Sequence, residues 1–280
     1  MITDIFLYPF MQKAFIVGIL LSVIIACLGT VVVHKRLSLI GSALSHSSLA
    51  GVAIGLLLGF SPVLGAVGIC VVAALCIEAI RKRMPAFSEL AVAITLSVGI
   101  GLAGVLSGFV KNSSDFNSFL FGSIVAIDSF ELIVVLILSS VVLLVFLLMY
   151  KELFYVSFDE EAAALSGVPV GLVNFVFTVL TAVTVSVAAR TVGALVVSSL
   201  LVVPVAAAMQ IARSYKTTIL WSVLFALLST LLGLTVSFYA GLKPGGTICL
   251  LAAAFFLAAV GLKALRSRLG YSRHREESHE

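Results

Sequence analysis

Runs of about 20 apolar residues recur along this chain, and a run of that length lets an α-helix cross the hydrocarbon core of a bilayer. Lipid offers no water to backbone groups, so a spanning segment has to be a helix or part of a closed barrel. The strict alternation of apolar and polar residues that marks barrel strands is absent, which leaves helices. Composition agrees. Apolar residues make up 61% of the 280 and charged residues 11%, against about 25% charged in a soluble domain.

The sequence therefore predicts an all-α, polytopic membrane helix bundle of eight or nine transmembrane helices. Candidate spans lie at 14–33, 38–59, 61–80, 89–110, 130–150, 171–189, 192–212, 218–240 and 245–265. The first run is too long for a signal peptide and is read as a retained helix. Segment 118–127 is too short to cross and is read as partly buried or re-entrant. The whole chain, 1–280, is one membrane domain, with 266–280 expected to be a disordered cytoplasmic tail.

Lysine and arginine set the expected orientation. With the Arg81-Lys82-Arg83 loop cytoplasmic, nine alternating spans put the amino terminus outside and the carboxyl terminus inside. Thirteen of the 17 basic residues then face the cytoplasm, leaving Lys13, Lys111, Arg190 and Lys243 outside. Arg190 is expected to snorkel to the outer interface. Basic residues spread over membrane loops need no nucleic acid to explain them. The phosphate-loop pattern G-x-x-x-x-G-K-[ST] is missing, so ATP hydrolysis by that route is excluded for this chain. Cys27, Cys70, Cys76 and Cys249 are scattered in apolar runs without a C-x-x-C pair and read as packing residues.

Small residues suggest close helix packing: Gly51, Gly55 and Gly59 in the second span, and Ser97, Gly101 and Gly104, with Gly99 nearby, in the fourth. Pro204 should kink or interrupt the seventh span. The second span is unusually polar. Ser38, Ser42 and His46 are spaced by four, with Ser45 beside them, so they share a helix face. An ionisable group at membrane depth usually faces a bundle interior or a watery path, and imidazole ligates transition metals. The same histidine could instead hydrogen-bond a neighbouring helix, and spacing leaves both readings open. Glu89, at the start of the fourth span, is favoured by the helix dipole. Phe158, Asp159, Glu160, Glu161 and Gly167 describe a short capped helix between spans, suited to docking a partner.

Several segments together resemble a known family. The run RLSLIGSALSHSSLAGVAIGLLLG (36–59) is similar to the second-helix signature of the zinc and manganese ABC importer permeases, the ABC-3 family. NSSDFNSFLFGSIVAID (112–128), SFDEEAAALSGVPV (157–170), VGALVVSSLLVVPVAAA (192–208) and PGGTICLLAAAFF (244–256) resemble further family segments, in the same order. The resemblance implies a fold like the type II ABC importer permeases and a homodimer driven by two cytoplasmic ATPase subunits. An extracytoplasmic binding protein would deliver the divalent metal, zinc or manganese, which is cargo rather than a permanently bound cofactor. By position, His46 matches the family's histidine ligand in the translocation path, Asp159 and Glu160 match the coupling segment, and Glu89 matches an acidic position. The family commonly has aspartate four residues before the histidine; here Ser42 stands there, removing one negative charge per subunit. Alternatives are an ABC permease for an iron chelate or other cargo, and a gradient-driven transporter. The latter is disfavoured because Glu78, Glu89, Asp128 and Glu131 lie near span ends.

Overall fold

Prolines start several helices where the sequence places them, because a missing N–H costs nothing in the first helical turn. The computed structural model of the chain describes residues 7–84, 87–110, 119, 122 and 129–277. α1 (Pro9–His34) and α3 (Pro62–Arg83) begin on proline, and between them lies α2 (Ile40–Leu58), which stops at Gly59 with φ 74°. α4 (Ser88–Ser107), α5 (Ser129–Leu148), α6 (Tyr150–Phe158), α7 (Glu160–Leu165) and α8 (Val170–Ala188) follow. A π-helical turn, Ala189–Gly193, leads into α9 (Ala194–Ile211). α10 (Tyr215–Ala240) is opened by a Ser214–Thr217 capping box and closed at Gly241 with φ 64°, and α11 (Pro244–Glu277) ends the chain. No strand occurs among the described residues.

Among those residues, seven helices are long and apolar enough to cross a membrane. The pair Leu132–Leu148 and Tyr150–Phe158, bent by 68°, would make an eighth span. Leucines on α5, α10 and α11, such as Leu144, Leu220 and Leu250, point outward as a lipid-facing surface requires.

Two expectations, the length of the seventh span and the fourth-span cluster, are corrected. The seventh span is a shorter helix, preceded by the π turn and by Gly193 at φ 101°. Pro204 lies inside α9, which is helical on both sides of it. α11 runs as helix to Glu277, past its apolar part. The fourth-span cluster does not act as a unit: Gly99 packs against α2, while Gly101 and Gly104 face open space. Lys111, Asp128, the side chains of Glu131 and Arg190, and most of segment 118–127 fall outside what the structure describes.

α2 is, with α1, one of the two most enclosed spans. α3, α4 and α9 pack on it, and every residue from Ile40 to Ala53 is buried except Ser42 and His46. Glycines bring the neighbouring backbones into contact. A Cβ on Gly51 would sit 2.3 Å from the Gly65 carbonyl oxygen, and one on Gly65 2.4 Å from that of Gly51. A Cβ on Gly99 would lie 2.9 Å from Ser47 Oγ, and one on Gly41 3.2 Å from the Ser198 Cα. Cys70 Sγ adds a weak contact at 3.2 Å to the Leu44 carbonyl oxygen of α2. Gly59 contributes only its left-handed backbone, with nothing near its missing Cβ.

Gly51→Ala should therefore destabilise the purified protein by about 1–3 kcal/mol, as overpacking of a tight contact does, whereas Gly104→Ala should leave stability unchanged or slightly higher. Thermal unfolding in detergent of the two variants side by side checks the contrast.

Candidate functional site

Tight packing on several sides leaves α2 a single open polar stripe. Ser42 and His46, one turn apart, are half-buried on one face of the helix. Ser38 is in the turn before α2, which begins at Ile40, so the expected three-member stripe shortens to two. Ser45 is turned inward, 2% exposed, and its hydroxyl has no hydrogen-bond partner. Ser47 and Ser48 instead return their hydroxyls to the carbonyl oxygens of Ala43 and Ser45, both at 2.9 Å. No group of three or more histidine, cysteine or acidic side chains that could hold a metal occurs among the described residues. His46 therefore stands apart from other histidine, cysteine and acidic clusters among the described residues, with Ser42 as its close polar neighbour on the helix. Glu89 is exposed in the first turn of α4 and lines a cleft with Arg36, Ser38 and Leu39. That cleft lies at the start of α2, and His46 is about 9 Å further along the helix axis.

A second cluster sits where α1, α3 and α8 meet α7. α7 is built as its sequence indicates. Asp159 is the N-cap, its Oδ1 accepting from the amides of Glu161 at 2.9 Å and Ala162 at 3.0 Å. Gly167, at φ 85°, ends the helix, with its amide bonded to the Ala164 carbonyl and that of Val168 to the Ala163 carbonyl. Ala163 is buried, while Leu165 is 91% exposed and Phe158 and Glu161 also face outward.

Glu160, the first residue of α7, reaches into a polar cleft. Lys35 Nζ donates to its Oε1 at 2.8 Å, Asn174 Nδ2 donates to the same oxygen at 3.2 Å, and Arg81 Nη1 lies 3.6 Å away. Lys35 also donates to Asn174 Oδ1 and lies 5.8 Å from the centre of the Phe177 ring. Arg81 is held in turn by Glu78, Nη2 to Oε2 at 3.0 Å. Burial would raise the Glu160 pKa, but the Lys35 hydrogen bond and the charges of Lys35 and Arg81 outweigh it and hold the carboxyl below its usual range. Burial pulls the Lys35 pKa down despite its bond to Glu160. Lysine and arginine in loops read only as topology signals in the sequence, so Lys35 and Arg81 were missed as network members. Asn174, a polar residue within an apolar span, was the available signal.

These features define a class: an all-helical polytopic membrane protein with a polar stripe on a deeply enclosed helix and a short capped helix at one end. The chain belongs to the ABC 3 transport family, which it matches over residues 7–263. It is 32% identical to the manganese transport system membrane protein MntC of Listeria monocytogenes over 96% of both chains. It is 28% identical to the high-affinity zinc uptake system membrane protein ZnuB of Haemophilus influenzae, over 91% of this chain and 98% of that one. The solved structure of PsaBC from Streptococcus pneumoniae in complex with Fab superposes with a TM-score of 0.82 at 30% identity, covering 92% of this chain and 95% of that one.

Asp159→Ala should lower the stability of α7 by about 1 kcal/mol, seen as faster hydrogen exchange at 161–164, with Asp159→Asn close to the parent. Because the Glu160 pKa is depressed, its contribution is present above the ordinary carboxylate range, near pH 4, and is lost as pH falls through the lowered value. Exchange in α7 should thus stay flat from about pH 5 to 7, once corrected for intrinsic rates, and rise below about pH 4.

Proposed function

We propose that this chain is the membrane permease subunit of an ATP-driven importer that carries manganese or zinc across the cell membrane. The observation that carries the reading is the Ser42–His46 stripe, the one opening in the otherwise buried stretch Ile40–Ala53 of α2, in a chain of the ABC 3 transport family. Relatives named for manganese and zinc transport support the choice of cargo.

The working unit is a homodimer in which His46 from each copy lines a shared path. A sparse, largely neutral site suits a cargo that has to leave as well as enter, since Ser42 supplies a hydroxyl where a carboxylate would hold the cation harder. The second copy would supply the ligands that one chain lacks. Glu89, in its cleft at the start of α2, is placed to attract a cation toward that end of the helix. ATP is hydrolysed on two separate cytoplasmic subunits, and α7 with its exposed Leu165, Phe158 and Glu161 docks against them. The amino terminus lies outside and the carboxyl terminus inside, the arrangement favoured by the distribution of lysine and arginine. An extracytoplasmic protein delivers the metal to the outer end of the path.

His46→Ala should abolish uptake of radioactive manganese or zinc into cells while the assembled complex is recovered in normal amount. Ser42→Asp should tighten metal binding, read as a lower half-saturating concentration for uptake. Full uptake by the His46→Ala complex would refute the path.

A further inference from the structure

α7 carries the surface offered to a partner, while α2 carries the polar stripe, and the two are distant in sequence. Among the described residues, the ion pairs from α7 run to Lys35 and Arg81 through Glu160. Lys35 is 125 residues away and caps the carboxyl end of α1. The joint that follows has little slack. Arg36 adopts the left-handed conformation at φ 58°, its amide bonded to the Val33 carbonyl and the Leu37 amide to the Val32 carbonyl. This closes α1 as glycine ordinarily would, and a non-glycine residue there holds the turn at some cost in strain. Leu37 is buried, and the Ile40 amide donates to its carbonyl at 2.9 Å, so the turn leads directly into α2.

We propose that the Glu160–Lys35 pair, steadied by Asn174 and Arg81, is the link that passes movement of α7 to the α1–α2 joint and so to the helix bearing Ser42 and His46. The inference rests on the transport reading above and assigns Lys35 and Glu160 as positioning residues for coupling.

Three physical points support it. The Lys35 side chain is 4% exposed, yet its cation sits among a carboxylate, an amide oxygen and an aromatic face, which is the company a buried charge needs. A buried ion pair adds little stability over an apolar filling, but it fixes geometry between the groups it joins. Finally, Glu160 is 45% exposed on its side chain while Lys35 is enclosed, so the link joins a surface helix to the interior.

The test uses the full transporter, reconstituted in vesicles with its ATPase subunits, and reads metal moved per ATP hydrolysed. Lys35→Met and Glu160→Gln should each lower that ratio by about 5- to 150-fold, the usual span of coupling between two sites, with ATP hydrolysis retained. Lys35→Arg should keep most of the ratio, and the Lys35→Met/Glu160→Gln double variant should be no worse than Lys35→Met alone. Glu160→Gln alters a half-exposed group, so its result stands even if Lys35→Met assembles poorly. An unchanged ratio in assembled Glu160→Gln complexes overturns the link. So does a parallel loss of hydrolysis and transport, which would mean that the pair only holds α7 for docking. No metal transport by the unsubstituted complex overturns the transport reading and the inference with it.

Discussion

Close approach of backbones around α2 is the constraint on which the rest of the structure depends. Helices in lipid gain nothing from hiding apolar side chains from water, because the tails around them are equally apolar. Association has to come from contact, and contact is closest where side chains are absent. Gly51 and Gly65 place α2 and α3 against each other's carbonyl groups, Gly99 seats α4 on Ser47, and Gly41 admits α9. With those directions closed by backbone, the face bearing Ser42 and His46 is left by subtraction. The position of the polar stripe is thus a result of packing; of the serines that face inward, Ser47 and Ser48 return their hydroxyls to their own helix, while Ser45 is simply enclosed.

The opposite physics governs the cleft beneath α7. There, charges are gathered rather than excluded, and each has a counterpart: Glu160 with Lys35 and Arg81, Arg81 with Glu78, Lys35 with Asn174. Electrostatic contacts of this kind are directional and tolerate small rotations poorly, whereas glycine contacts resist compression. The molecule joins a region that transmits shape by contact to one that transmits position by charge, and the short turn at Arg36 is where they meet.

Much of this was legible in the sequence. Apolar run lengths gave the helices, while several ends, Pro9, Pro62, Pro244 and Gly241, carry proline and glycine signals that run length alone does not use. The short helix after Phe158 was readable because its cap, acidic first turn and stop are all local. What was not legible depends on contacts between distant segments. Whether Gly99 or Gly104 faces a neighbour cannot be read from spacing alone, and Ser45 was assigned to the open face because one turn's resolution does not separate it from His46. The π turn before α9 has no proline to mark it, so nothing local in the sequence announces it. The charge network escaped because Lys35 and Glu160 are far apart in sequence, and each already had a sufficient local reason to be charged.

Lys35 also has a history within the making of the protein. The chain is synthesised from its amino terminus, so Lys35 emerges beside the first membrane helix long before Glu160, 125 residues later, exists to pair with it. During that interval it is an unscreened cation at a membrane surface, the kind of charge that decides which way a helix inserts. Once Glu160 and Asn174 are in place, the same ammonium group is enclosed by protein. The same charge that a topology rule reads locally is thus, in the folded chain, part of a contact between distant segments. A substitution at position 35 would act twice, on how the chain enters the bilayer and on what it does once there.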